Sequence, residues 1–211
     1  MIEPGPNRLV DPRFDEDKPR MSNEIIIVSG VPRSGTSLMM QMLNQGGVEV
    51  VTDNIRRADT DNPRGYYELE QVKKIKHDVS WLPATRGKAF KMVSQLLYEL
   101  PPTERYRIIF MERDLDEVFV SQEKMLARLS KPAAPRGAIE RSFIEHLRRL
   151  REWLARQPNI EVLYICYNGL LERPEQHAER VSSFLGGQPD ALKMAETVDS
   201  SLYRNRKTPI D

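Results

Sequence analysis

The sequence predicts an α/β fold in which helices cover both faces of a parallel sheet, and three observations support that prediction. Mainly apolar runs at 24–30, 106–113 and 160–167 have the β-branched and aromatic composition of buried strands. Stretches with the apolar spacing of amphipathic helices separate these runs. Alternation of buried strands with helices is typical of parallel sheets, and a chain of 211 residues is long enough for one such domain.

Each element follows from a local signal. Glycines mark the ends of the first strand and the first helix, and a proline fits the first turn of the last helix. In chain order we predict a strand at 24–30, a helix at 36–46, a short strand at 48–51, a polar, turn-rich segment at 52–66, a helical segment at 67–80, strands at 88–93 and 106–113, a helix at 114–129, a loop at 131–137, a helix at 138–156, the last central strand at 160–167 and a helix at 174–185.

The N-terminal segment differs in composition from the rest of the chain. Residues 1–22 are rich in proline and charge, which predicts an extended arm before a single domain at 23–211. The arm lacks the apolar centre of a secretory signal, and no apolar run approaches the ~20 residues that a membrane span requires. We therefore expect a cytoplasmic protein without a membrane span, and the oligomeric state stays open.

Charge and cysteine content argue against several classes of function. The formal net charge is +1, so no global basic field points to nucleic acid as a partner. The single cysteine, Cys166, excludes an internal disulfide and a multi-cysteine zinc site, and its apolar neighbours predict a buried structural thiol. The three histidines are scattered along the chain, so we expect no metal site.

The stretch VSGVPRSGTS at 28–37 has the spacing of a phosphate-binding loop between a strand and a helix. Gly30 and Gly35 let the backbone wrap an anion, and the N–H groups at the start of the helix point towards it. A loop for ATP or GTP would carry lysine where Thr36 stands here. Arg33 supplies the positive charge instead, which disfavours a metal-dependent triphosphatase.

A second candidate anion site follows the strand at 106–113. That strand ends at Arg113, and Glu117 and Ser121 follow it on the next predicted helix. A guanidinium with a hydroxyl suits a phosphate monoester. Together with PRSGTS, this arrangement resembles the sulfotransferases that use 3′-phosphoadenosine 5′-phosphosulfate (PAPS), and the resemblance spans about 24–187.

The resemblance implies a P-loop-type fold and a PAPS site divided between the two segments, with no metal. Arg113 and Ser121 would bind the 3′-phosphate, and Arg33 would steady the leaving phosphate on the 5′ side. The loop residues implied to bind PAPS are Pro32, Arg33, Ser34, Gly35, Thr36 and Ser37. Tyr167, in YNGLLERP, resembles a family tyrosine near the adenine, with plain packing as the alternative.

The catalytic base is the weakest part of the resemblance. Lys91, in KAFKMV, matches a family lysine that would stabilise the sulfuryl group or the leaving group. Cytosolic family members carry a histidine as the base two positions later, where Val93 stands here. NPRGYYE at 62–68 resembles a bacterial segment and makes Glu68 the base candidate, with His77 as the alternative.

Several matters stay open from sequence. The acceptor is expected to be a small-molecule or carrier-bound hydroxyl or amine compound, and its identity is not legible. The family's C-terminal R-K-G-x-x-G motif is absent, so Arg204, Arg206 and Lys207 are candidates to replace it, or else form a solvated basic tail. Two other functions compete: a P-loop small-molecule kinase, and a nucleotide-binding module that has lost catalysis.

Overall fold

A computed structural model describes residues 23–53, 55, 65–128 and 136–199. The N-terminal arm, most of the 131–137 loop and the basic tail fall outside the described residues. The strands and helices are β1 (Ile25–Gly30), α1 (Thr36–Gln45), β2 (Ala89–Val93), β3 (Tyr106–Glu112), α2 (Leu115–Arg128), α3 (Arg136–Leu154), β4 (Ile160–Cys166), α4 (Tyr167–Glu172), α5 (Pro174–Phe184) and α6 (Ala191–Glu196).

The four strands form one parallel sheet in the order β2-β1-β3-β4. This confirms the predicted α/β class with a parallel sheet. In the register of β1 with its neighbours, Gly30 stands opposite Val93 of β2 and Met111 of β3. The carboxyl ends of three strands therefore meet beside the loop that follows Gly30, which is where ligands bind in such sheets.

Helices cover both faces of the sheet because successive strand residues point to opposite sides. Ile26 and Val28 face a core formed with α1, α5 and α6, while Ile25 and Ile27 face a core formed with α3 and the segments at 69–100. All four side chains are fully buried, and each such burial contributes roughly 1.5–3 kcal/mol. The central strand β1 is thus fixed on both faces and on both edges.

The predicted helical segment at 67–80 is wrong in its length. Only Glu70–Lys74 is helical within it, as a short 3-10 helix. Two aspartates compete with a continuous helix: Asp53 Oδ2 accepts the Glu70 N–H at 2.6 Å, and Asp78 Oδ1 accepts the Ser80 N–H at 2.9 Å. Side-chain acceptors of this kind favour turns over helix interiors.

The prediction of a buried thiol is also wrong, because Cys166 is exposed. β4 is an edge strand of the described sheet, not a central one, and Cys166 is its last residue, directly before α4. The other predicted elements differ little from the observed ones. The predicted strand at 48–51 is a single bridge from Val50 to Ala89, and the other predicted helices differ from the observed ones by at most two residues at either end.

Candidate active site

The loop between β1 and α1 leaves a helix N-terminus open towards the site. Gly35 precedes α1 with φ 97, and among the described residues no side chain caps that end. The first N–H groups of α1 can therefore bind an anion. A Cβ at Gly35 would lie 2.3 Å from Cδ2 of Tyr167, so the tyrosine ring closes one side of the loop and requires glycine there.

The inner part of the loop holds a buried hydroxyl. Ser34 is fully buried, and within the described part of the chain its Oγ has no hydrogen-bond partner. A Cβ at Gly30 would lie 2.4 Å from that oxygen, so glycine makes the room for it. Since a buried hydroxyl without a partner costs about 1–3 kcal/mol, this atom suits a ligand that accepts or donates a hydrogen bond.

Arg33 joins the loop to the second candidate anion site. Its Nε donates to Ser121 Oγ at 2.9 Å, and its carbonyl accepts from Arg113 Nη1 at 3.1 Å. Its φ is 72, a left-handed conformation that costs a non-glycine residue about 1–3 kcal/mol and is concentrated at functional sites. The sequence assigns Arg33 to the 5′ side, whereas in the structure its guanidinium lies against the serine assigned to the 3′-phosphate.

Arg113 is held by a buried carboxylate. Its Nε donates to Glu117 Oε2 at 3.0 Å, with only 7% and 3% of the two side chains exposed. Asn168 Nδ2 donates to the other oxygen of Glu117 at 3.2 Å. The guanidinium also lies over the Tyr167 ring, 4.5 Å from its centroid. Sequence reasoning missed Asn168, whose only signal was its place directly after Tyr167.

Tyr167 remains a neutral phenol over a wide pH range. Burial raises the pKa of its hydroxyl, although the nearby Arg113 acts in the opposite direction. The ring is therefore an uncharged flat surface between Gly35 and Arg113. These two contacts are packing within the protein, and a contact of Tyr167 with the adenine stays a prediction.

Lys91 connects the middle of β2 to Ser37, the last residue of the loop motif. Its Nζ lies 3.4 Å from Ser37 Oγ and also donates to the carbonyl of Tyr66. The same carbonyl accepts from Ser37 Oγ at 3.3 Å. The structure thus brings together the loop, Lys91, Arg113, Ser121 and Tyr167, all of which the sequence had selected.

The two predicted base candidates lie in different settings. Glu68 is half-buried, two positions after the Tyr66 carbonyl that contacts Lys91. The pKa of Lys73 is raised mainly by its hydrogen bond to Glu70 and further by the charge of Glu68, so Glu68 has a cation nearby. His77 is exposed. The tail candidates Arg204, Arg206 and Lys207 fall outside the described residues.

Over the part of the chain that the structure describes, no three His, Cys, Asp or Glu side chains are grouped so that they could hold a metal ion. Within the same residues, none of the helices has the length and apolar character needed to cross a membrane.

Comparison with known proteins identifies the family. The model of a sulfotransferase domain matches residues 23–208. The chain belongs to the sulfotransferase family. The resemblance stated from the sequence is therefore confirmed at the level of the family.

Solved structures give further similarities to this sulfotransferase. The sulfotransferase domain of the Synechococcus PCC 7002 olefin synthase is 16% identical, with a TM-score of 0.49 and 94% of each chain covered. The Alicyclobacillus acidocaldarius sulfotransferase is 14% identical, with a TM-score of 0.46 and coverage of 80% of this chain and 84% of that one. Mouse sulfotransferase SULT7A1 complexed with PAP is 14% identical, with a TM-score of 0.47 and coverage of 84% and 63%. No curated protein sequence gave a match.

Proposed function

We propose that this sulfotransferase transfers a sulfuryl group from PAPS to a hydroxyl or amine of a small-molecule or carrier-bound acceptor. The observation that supports the donor most is the junction at Arg33, which touches Ser121 at 2.9 Å and Arg113 at 3.1 Å. A nucleotide with phosphate groups on both the 5′ and 3′ positions of one ribose needs two anion sites close together. A nucleoside triphosphate carries its phosphates on the 5′ position alone and needs only one anion site.

The residues of the site fit such a nucleotide. The open N-terminus of α1 and the buried Ser34 hydroxyl would hold the 5′-phosphosulfate, with Pro32, Thr36 and Ser37 completing the loop. Arg113 and Ser121 would hold the 3′-phosphate. PAPS supplies an activated sulfuryl group, and the neutral ring of Tyr167 is the candidate contact for its adenine.

The chain's own cations suit the charge that develops in the reaction. Negative charge grows on the leaving phosphate, and fixed cations and N–H groups stabilise it without reorganisation. We assign this role to Arg33, which lies within the loop, and to Lys91, which approaches it from β2. Removal of one such donor typically lowers kcat by about 10²–10³-fold. Glu68 is the base candidate that the sequence supplies.

A kinase would need carboxylates for magnesium beside the loop. The two acids at the end of β3 have other contacts: Glu112 pairs with Arg151, and Asp114 Oδ1 accepts the Asp116 N–H at 2.8 Å. The loop also lacks the lysine of an ATP site. These contacts favour the sulfotransferase proposal over a magnesium-dependent phosphoryl transfer.

Ligand-dependent thermal unfolding tests the proposal. With PAP, the desulfated product, at 100 times its Kd and without magnesium, we expect Tm to rise by roughly 5–10 °C. AMP should give a smaller shift, because it lacks the 3′-phosphate. Transfer of ³⁵S from labelled PAPS to a panel of phenols, alcohols and amines then tests turnover.

Three results would contradict the proposal in different ways. No shift with millimolar PAP would argue against the donor. A shift with ATP that requires magnesium would favour the kinase. PAP binding without transfer to any acceptor class would favour a nucleotide-binding module that has lost catalysis.

A further inference from the structure

The carboxylate of Glu117 has a different donor at each of its two oxygens. Arg113 Nε donates to Oε2 at 3.0 Å, and Asn168 Nδ2 donates to Oε1 at 3.2 Å. The Glu117 side chain is only 3% exposed, so both hydrogen bonds lie away from solvent. The carboxylate is therefore divided between a guanidinium and an amide.

A second pair in the same chain shows the more common arrangement. Arg86 donates to Glu104 from Nε at 2.8 Å and from Nη2 at 2.6 Å, with one bond to each carboxylate oxygen. Such a fork of two parallel bonds is frequent between arginine and a carboxylate. The Glu104 side chain is buried to a similar degree, at 8% exposed, so burial alone does not explain why Arg113 and Glu117 pair differently.

An asparagine stands beside each of the two pairs, and the two asparagines hold different oxygens. Asn159 Nδ2 donates to the backbone carbonyl of Glu104 at 2.9 Å and leaves both carboxylate oxygens to Arg86. Asn168 instead donates to the carboxylate of Glu117, at the oxygen that a fork would need. The amide thus fixes the direction in which this carboxylate faces.

The guanidinium of Arg113 is oriented on two further sides. Its Nη1 donates to the Arg33 carbonyl at 3.1 Å, and its central carbon lies 4.5 Å from the centroid of the Tyr167 ring. The donors of a guanidinium lie in one plane, so a fork with Glu117 would turn part of the Nη side towards the carboxylate. With the contact to Glu117 made by Nε, the Nη side faces the phosphate loop.

The fold brings Asn168 to this position through the register of β3 with β4. Glu112, the residue before Arg113, stands opposite Cys166, the last residue of β4. The next two residues, Tyr167 and Asn168, begin α4. One turn of chain therefore supplies both the ring against the guanidinium and the amide on its carboxylate.

We propose that Asn168 is a positioning residue that sets the preference for a 3′-phosphorylated nucleotide. It holds one oxygen of Glu117, which prevents the fork with Arg113 and turns the Nη side of the guanidinium towards the 3′-phosphate. The inference rests on the proposed function, in which Arg113 and Ser121 hold that phosphate. Asn168 acts through Glu117 and Arg113, and the nucleotide itself is bound by other residues.

Calorimetric titration with PAP and AMP tests the inference. N168L removes the amide and keeps the size of the side chain, so Glu117 can turn both oxygens towards Arg113. We expect PAP to bind about tenfold more weakly and AMP affinity to change less than about twofold, because AMP has no 3′-phosphate. N159L removes the matching amide beside Arg86 and is the control, with wild-type affinity for both nucleotides.

A second background isolates the path through Glu117. In E117Q the side chain has a single acceptor oxygen, so the fork with Arg113 cannot form whether or not Asn168 is present. We expect N168L to change PAP affinity by less than about twofold when it is added to E117Q. The same loss of PAP affinity in both backgrounds would overturn the inference, because Asn168 would then act by another path.

The crystal structure of N168L gives a readout that does not depend on the nucleotide. We expect Nε and one Nη group of Arg113 to donate to the two oxygens of Glu117, as Arg86 donates to Glu104. A pair that keeps its single bond in N168L contradicts the inference. If N168L does not fold, N168A removes the same donor without adding apolar atoms, and the same outcomes decide.

The titrations also separate this inference from the proposed function. If N168L keeps the wild-type preference for PAP over AMP, the inference fails and the proposed function stands. Equal losses for PAP and AMP in N168L would show that Asn168 only supports the fold, which also overturns the inference. If the wild-type protein does not bind PAP, the proposed function itself fails, and that failure is visible before any variant is made.

Discussion

Both ends of β3 carry a buried arginine–glutamate pair, yet the two pairs have different surroundings. At the amino end, Arg107 donates to Glu24 and to the Phe184 carbonyl and lies 3.3 Å from Glu161. At the carboxyl end, Arg113 bonds Glu117 and the carbonyl of Arg33. In both pairs the buried side chains are no more than 10% exposed.

The difference shows that a buried ion pair does not by itself mark a binding site. Arg107 is packed against the end of α5 and the strand edge, where its partners are structural. Arg113 lies beside an open helix N-terminus, a buried hydroxyl and a left-handed arginine. The role proposed for Arg113 therefore rests on the neighbours of the pair and not on its burial.

Substitution of Arg107 gives the largest expected effect on stability. R107A leaves the Glu24 carboxylate buried without its guanidinium, so we expect the free energy of unfolding to fall by about 3–5 kcal/mol. Urea unfolding measures this loss, and PAP affinity of the folded fraction should be unchanged. R136A, which breaks an exposed pair with Asp116, is the control and should cost less than about 1 kcal/mol.

Substitution of Arg113 should change both stability and ligand choice. We expect R113A to lose about 3 kcal/mol of stability and roughly 100-fold in PAP affinity, with little change for AMP. Calorimetric titration with both nucleotides measures the preference. Equal losses for PAP and AMP would mean that Arg113 does not bind the 3′-phosphate, and the contrast with Arg107 would disappear.

The glycine before α1 offers a smaller and cleaner perturbation. In G35A the new methyl would lie 2.3 Å from the Tyr167 ring, so we expect the loop to shift and PAP affinity to fall at least tenfold. Gly47 also has a left-handed φ, of 91, but nothing lies within 4 Å of its Cβ position. G47A should therefore show only the backbone cost of about 1–2 kcal/mol, with unchanged PAP binding.

The two ends also differ in alkaline stability, which is the smallest effect. Burial raises the pKa of Tyr106 at the amino end and that of Tyr167 at the carboxyl end. A raised folded-state pKa stabilises the fold below pH 10 and loses that contribution as pH rises, by about 1.4 kcal/mol at pH 11 for a tyrosine that stays neutral. Y106F should therefore remove more of the alkaline loss than Y167F, because Arg113 partly offsets the effect of burial at Tyr167. Urea unfolding at pH 8 and 11 gives the comparison.

Local patterns in the sequence were enough to select the residues of the two loops that the structure brings together at Arg33. The glycines and arginine of the loop lie within a few positions of one another, and Ser121 lies two helical turns after Arg113. Parallel pairing then places both segments at one edge of the sheet. Arg33 was selected correctly as part of the loop, but its bond to Ser121 spans 88 positions and has no local signal.

The rest of the structure depended on contacts between distant segments. The exposure of Cys166 could not be predicted from its apolar neighbours, because nothing local shows that β4 is an edge strand. The helix predicted at 67–80 was cut short by carboxylates such as Asp53, which meets Glu70 across a turn-rich segment.

The central position of β1 in the sheet has a consequence for folding during synthesis. Within the described sheet, β1 pairs with β2 and β3, both of which follow it in the chain. A nascent chain that ended before β3 would therefore expose the largely apolar strand β1, with an unpaired edge that other chains can join. The loop between β1 and α1 is synthesised early. Arg113 can contact it only after β2 and β3 have emerged from the ribosome.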